Sequence, residues 1–124
     1  MNRTCKKQPG FTLVEVVIVI TVIGILAGIT VLSYGAWQVR TAQDVVQSDL
    51  ENASTAMENA RNFSTGYPST IPNTFTSSQQ VTLTYAWGDT TKYCITGKSI
   101  TQTSVVFYIK NDLKTPQQGT CPAS

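Results

Sequence analysis

The sequence predicts an α+β protein: one long N-terminal helix packed on a small three-stranded antiparallel sheet. Three observations carry this prediction. Residues 11–34 form a nearly unbroken apolar run. Residues 39–60 repeat apolar side chains every three or four positions, the signature of a helix with one buried face. Between residues 81 and 110, three short segments alternate apolar and polar side chains or are rich in β-branched and aromatic residues.

The apolar run comes first. From Val16 to Leu32 every residue is apolar, Gly or Thr, and a bilayer core asks for roughly 20 such residues. As a helix, residues 11–32 extend about 33 Å at roughly 1.5 Å per residue, enough to cross. The chain carries 9 basic and 7 acidic side chains, a net +2, which leaves no nucleic-acid footprint. The excess is local. Arg3, Lys6 and Lys7 precede the run with no acid among them, while beyond residue 10 six basic side chains stand against seven acids. Such a leader stays cytoplasmic and the chain after the run is exported.

Glu15 sits near the front of this run, and an ionisable group at membrane depth is by default a functional hypothesis. Three readings compete. A secretory signal peptide would use "SYGA" (residues 33–36) for cleavage, but the run exceeds the usual 7–15 apolar residues. A plain single-span anchor fits the length and leaves Glu15 unexplained. The third reading cuts the chain between Gly10 and Phe11. Phe11 then carries a new α-amino group, about one helical turn from Glu15 in the same subunit or opposite the Glu15 of a staggered neighbour. Opposite charges attract strongly in low dielectric, and one left alone is costly. Glu15 thereby becomes a registration device for helix-on-helix assembly.

The basic leader, "GFTLVE" at residues 10–15 and the apolar run together resemble the class III signal of type IV pilins and type II secretion pseudopilins. The specific motif covers about 25 residues. The resemblance implies cleavage by a prepilin peptidase between Gly10 and Phe11, N-methylation of Phe11, and subunit recruitment through Glu15. Two positions depart from the common pattern. Pro9 precedes Gly10 and favours extended backbone there, and Leu32 stands where many such helices carry a kinking proline. Gly24 and Gly28 form a GxxxG pattern that lets helices approach closely, although glycines are also simply common in membrane helices.

The expected domains are a cleaved leader at 1–10, the transmembrane or filament-core helix at 11–34 and a pilin-like globular domain at 35–124. Tyr34 and Trp37 fit an aromatic belt at the outer interface. The helix continues through residues 38–63, where Val39, Ala42, Val46, Leu50, Ala53, Met57 and Ala60 make the apolar face. Arg40 and Asp44 stand four apart as a helical ion pair, and Asp44, Asp49, Glu51 and Glu58 read as a solvated face. Gly66 is placed to cap the helix, and Pro68 and Pro72 prevent continuation. In the first strand, Val81, Leu83, Tyr85 and Trp87 share a face. "KYCITG" is the second strand, with residues 97–102 as a loop. The third carries Val105, Phe107 and Ile109 inward. The tail from Asn111 shows little periodicity.

Three cysteines leave one over, and topology resolves the count. Cys5 stays in the reducing compartment or leaves with the leader, while Cys94 and Cys121 share the oxidising side, where a disulfide persists. This pair also resembles the C-terminal disulfide loop of many pilins.

No histidine is present, so Ser-His and Cys-His nucleophile pairs are excluded. No phosphate-binding glycine loop occurs, no cofactor is implied, and Asp89 and Asp112 are too sparse for a calcium site. Asn52 and Asn62 match the glycan-acceptor pattern. The reading is a non-enzymatic structural subunit of a type IV pilus. Its implied partners are copies of itself in a helical filament, the prepilin peptidase, the assembly platform and minor pilins. The subunit waits in the cytoplasmic membrane and ends in an extracellular pilus, serving adhesion, twitching motility or DNA uptake. Alternatives are a pseudopilin of a secretion or competence machine and, more distantly, a secreted or anchored globular binding protein.

Overall fold

The computed structural model describes residues 7–124; Arg3, Cys5 and Lys6, and with them most of the expected leader, lie outside the described residues. Helix α1 spans Leu13–Asn62 and is followed by β1 (Val81–Gly88), β2 (Tyr93–Ser99), β3 (Val106–Lys110) and β4 (Gln117–Gln118). The strands form one antiparallel sheet in the order β1-β2-β3-β4. The α+β expectation is borne out, with four strands where the sequence predicts three. The fourth is two residues long and pairs with Phe107 and Tyr108. Two residues are too few to leave an alternation signature.

The described residues divide after Gly35 into two compact units. In the first, every large apolar side chain from Phe11 to Leu32 is exposed. In the second, Ala42, Val46, Leu50, Ala53 and Met57 of α1 are buried together with Val81, Tyr93, Ile95, Val105, Phe107 and Ile109 of the sheet region. This is the predicted helix face on the predicted sheet face. A helix stripe rich in alanine allows close approach, and β2 reciprocates with Gly97. A Cβ there would lie 3.0 Å from Leu83 Cδ2 and 3.1 Å from both Leu50 Cγ and Val46 Cγ1. Gly97 is therefore a mid-strand position under the helix, rather than the start of the expected loop.

Tyr93 is fully buried, and its hydroxyl meets Ser54 Oγ at 2.7 Å. Burial pushes its phenol up to about 12, and the Ser54 hydrogen bond opposes that shift. Its ring meets Tyr67 edge-on at 4.8 Å. The Tyr67 hydroxyl donates to Glu58 Oε1 at 2.6 Å and accepts from Arg61 Nη1 at 3.2 Å.

Several local expectations are corrected. Trp87 does not share the face of Val81, Leu83 and Tyr85. A bulge between Tyr85 and Trp87 shifts the register so that Trp87 stands opposite Cys94. Its Nε1 donates to Pro122 O at 2.8 Å, and Lys92 Nζ lies 5.6 Å from its ring. Gly66 does not cap α1, which ends four residues earlier with Ser64 Oγ donating to Ala60 O at 3.1 Å. Gly66 instead allows a backbone approach, since a Cβ would come within 2.6 Å of the Thr90 carbonyl oxygen. Asp49 is not solvated. It is 5% exposed, and its carboxylate accepts from Ser78 N at 2.7 Å and Ser78 Oγ at 2.9 Å. Among the described residues the ion pairs are Arg61–Glu58 and Lys110–Asp112, so the Arg40–Asp44 pair does not form.

Cys94 and Cys121 are joined, with Cα atoms 6.0 Å apart. Thr96 Oγ1 donates to Cys121 Sγ at 3.2 Å and accepts from Cys121 N at 3.3 Å. Gly119 takes a left-handed φ of 115°, which glycine adopts without cost, and its N–H reaches Val106 O at 2.9 Å. These contacts lay the tail against β2 and β3.

Candidate functional site

The N-terminal site begins outside regular structure. Residues 7–12 are irregular, and α1 starts at Leu13. Nothing lies within 4 Å of a Cβ built on Gly10, and Phe11 is 90% exposed. The Gly10–Phe11 bond is thus open to a protease, with a small residue on one side and an accessible aromatic on the other.

Thr12 and Glu15 start the helix together. Thr12 Oγ1 accepts from Glu15 N at 3.3 Å, and Glu15 Oε2 accepts from Thr12 N at 2.7 Å. That reciprocal exchange is a capping box, with Thr12 at the N-cap and Glu15 at the third helical position. Thr12 Oγ1 also donates to Glu15 Oε2 at 2.9 Å. Two orphan donors of the first turn are thereby satisfied, and a carboxylate complements the positive end of the helix dipole. Phe11 and Val16 occupy the positions flanking such a box, and both line an open apolar groove with Ile18, Val19 and Ile20.

From the sequence Glu15 has one expected task, pairing with a new amine; the folded turn adds the cap. The signal was present as Thr-x-x-Glu ahead of an apolar run. The cap occupies only one oxygen of the carboxylate. Both hydrogen bonds to the Glu15 side chain fall on Oε2, so Oε1 remains for a cation. Cleavage before Phe11 leaves the Thr12 N–H intact as an amide, and the cap with it.

Behind the cap, α1 manages its few polar groups internally. Thr21 Oγ1 donates to Val17 O at 2.7 Å, Thr30 Oγ1 to Ala27 O at 2.9 Å, and Ser33 Oγ to Ile29 O at 3.2 Å. Hydroxyls returned to their own helix carry little penalty in hydrocarbon. A Cβ at Gly24 or Gly28 would meet nothing within 4 Å, so both present bare backbone to whatever approaches. An exposed apolar surface of this extent marks a membrane or protein-interaction surface. By length and composition α1 can cross a membrane.

The remaining candidates belong to the second unit. Cys94 and Cys121 form their bond in the second unit. Asp89 Oδ1 accepts from Thr91 N, Thr91 Oγ1 and Lys92 N. These bonds, those of Thr91 foremost, hold its carboxyl below its ordinary value. Asp112 pairs with Lys110 at 3.4 Å. Among the described residues no group of three or more His, Cys, Asp or Glu side chains is arranged to hold a metal.

Comparison with known proteins agrees with the N-terminal geometry. Residues 5–31 match the prokaryotic N-terminal methylation motif. Two fimbrial proteins of Pseudomonas aeruginosa are each 42% identical over 55 residues, covering 44% of this chain. The matched stretch spans 36% of the length of those relatives. The chain therefore carries a type IV pilin signal ahead of an α+β body.

Proposed function

We propose that this chain is a structural subunit of a type IV pilus. A prepilin peptidase cuts between Gly10 and Phe11 and methylates the Phe11 amine. The apolar helix holds the subunit in the cytoplasmic membrane, with its N-terminus inside and residues 35–124 outside. The assembly platform then moves it into a homo-oligomeric filament at the bacterial surface, alongside minor pilins, where it serves adhesion, motility or DNA uptake.

The observation that carries this reading is the capped Thr12–Glu15 turn heading an exposed apolar helix, directly after an accessible Gly10–Phe11 bond. In the filament core, apolar packing supplies adhesion between helices. The Phe11 amine and Glu15 Oε1 supply register, because a misaligned subunit leaves a buried charge unpaired.

The test is the intact mass of subunits sheared from cells, together with the Glu15→Ala variant. The mature chain is expected to begin with methylated Phe11. Glu15→Ala is expected to be cleaved normally and to polymerise poorly or not at all. Normal filaments from that variant would sink the registration argument, and a mature chain beginning elsewhere would sink the whole reading.

A further inference from the structure

Within residues 36–124, three large hydrophobic side chains are exposed among the described residues: Trp37, Phe63 and Ile100. Two of them belong to one region. Trp37, Gln38, Thr41 and Ala42 of α1 face Gln80, Thr101 and Gln102 across a groove of about 240 Å³. Ile100, 58% exposed, immediately precedes Thr101 on the wall of that groove.

The loop that presents Ile100 is ordered. Ile100 N donates to Gln80 O at 2.9 Å, and Val105 N to Gln102 O at 2.8 Å. Ser99 Oγ accepts from Gln102 N at 3.1 Å and meets Thr101 Oγ1 at 3.2 Å. Its backbone donors are thus largely occupied, which lowers the cost of leaving water. No charged residue occurs between Lys98 and Lys110, and none lines the groove. Approach of the loop and groove lining to a low-dielectric region therefore strips water from no ion of their own.

We infer that Trp37 and the loop at 99–102 form a membrane-contact rim, with Ile100 seated at the lipid headgroup level of the exported leaflet. This rests on residues 11–34 being a membrane span. Chain connectivity then bounds how far Trp37 stands from the end of that span. Trp37 is three residues beyond Tyr34, and three residues reach about 10 Å at most, whatever the backbone angle. The headgroup layer is itself roughly 5–8 Å deep on each side. A tryptophan so placed is a preferred interfacial residue, and the groove puts the loop beside it. The rim gives the waiting subunit a second foothold, which must be released when the subunit leaves the bilayer.

The experiment uses the full chain with Cys5→Ser and Ile100→Cys, carrying an environment-sensitive nitrobenzoxadiazole dye at position 100, in phosphatidylethanolamine–phosphatidylglycerol vesicles. The expected result is blue-shifted emission and loss of most of the intensity when the lipids carry brominated acyl chains near the headgroup. The same dye at Thr101→Cys is expected to behave alike. Dye at Thr82→Cys, on the exposed sheet surface, is expected to stay unquenched. Retention of the Cys94–Cys121 bond, read by mass, reports a folded domain. A chain that floats with the vesicles while dyes at 100 and 101 stay unquenched overturns the inference alone. Blue-shifted emission that brominated lipid does not quench, and that grows with protein density, assigns the rim to a second copy and also overturns it. A chain that fails to float overturns the membrane span and the inference together.

Discussion

Thr12 and Glu15 hold each other across the first turn of α1, each backbone N–H donating to the other's side chain. Thr12→Ala removes the cap, and the expected cost is about 1 kcal/mol of local helix stability. Thr12→Ser keeps the hydroxyl and is expected to restore it. Amide exchange of residues 13–16 in detergent micelles measures the difference. Equal protection in all three chains would show that the capping bonds contribute nothing.

Asp49 fastens the irregular segment before β1 to the helix through Ser78. Asp49→Ala removes a buried charged acceptor from the two donors of the exposed Ser78. The expected destabilisation is about 1–3 kcal/mol by urea unfolding. Asp49→Asn keeps one acceptor and is expected to fall between the two. A loss below roughly 0.5 kcal/mol, the level of an ordinary surface change, would count against this fastening.

The Cys94–Cys121 bond closes a sequence separation of 27. Loop-closure entropy assigns it about 3–4 kcal/mol, in a model-dependent way. Cys94→Ser is expected to lower folded yield and urea resistance together. Unchanged yield, with wild type kept reduced as comparison, would contradict this.

Alkaline pH supplies a fourth test. Tyr93 ordinarily ionises near 10 and is raised to about 12 in the folded chain, chiefly by burial. Its contribution is fully present below pH 10. It is lost as pH rises from 10 through about 12, because the unfolded chain releases the proton first. The slope is at most about 1.4 kcal/mol per pH unit. Tyr93→Phe removes the phenol and is expected to flatten this stretch of the stability curve, although Tyr67 and Tyr85, also raised by burial, leave some slope.

The elements legible in the sequence are those written by repetition. The stripe from Val39 to Ala60 and the alternation of Val81, Leu83 and Tyr85 each follow from one period, and both lie where that period places them. The features that escaped depend on single residues meeting partners far along the chain. Asp49 looks like any polar helix position until Ser78, 29 residues away, arrives above it. Trp87 continues the alternation perfectly, and a one-residue bulge redirects it. Gly66 offered a helix stop, yet it is the crowding of Thr90 that calls for a missing side chain. At the N-terminus the Thr-x-x-Glu spacing already spells the capping box, whereas the placement of both side-chain hydrogen bonds on Glu15 Oε2 is visible only in the folded turn.

Cys94 lies on β2, a strand with neighbours on both sides, so the covalent clip ties the segment after β4 to the middle of the sheet. A pull on residues beyond Cys121 is transmitted to β2, where two ladders resist it at once, and not to the two-residue strand at the rim. Mechanical load on the tail is thereby spread through the most deeply laced part of the domain.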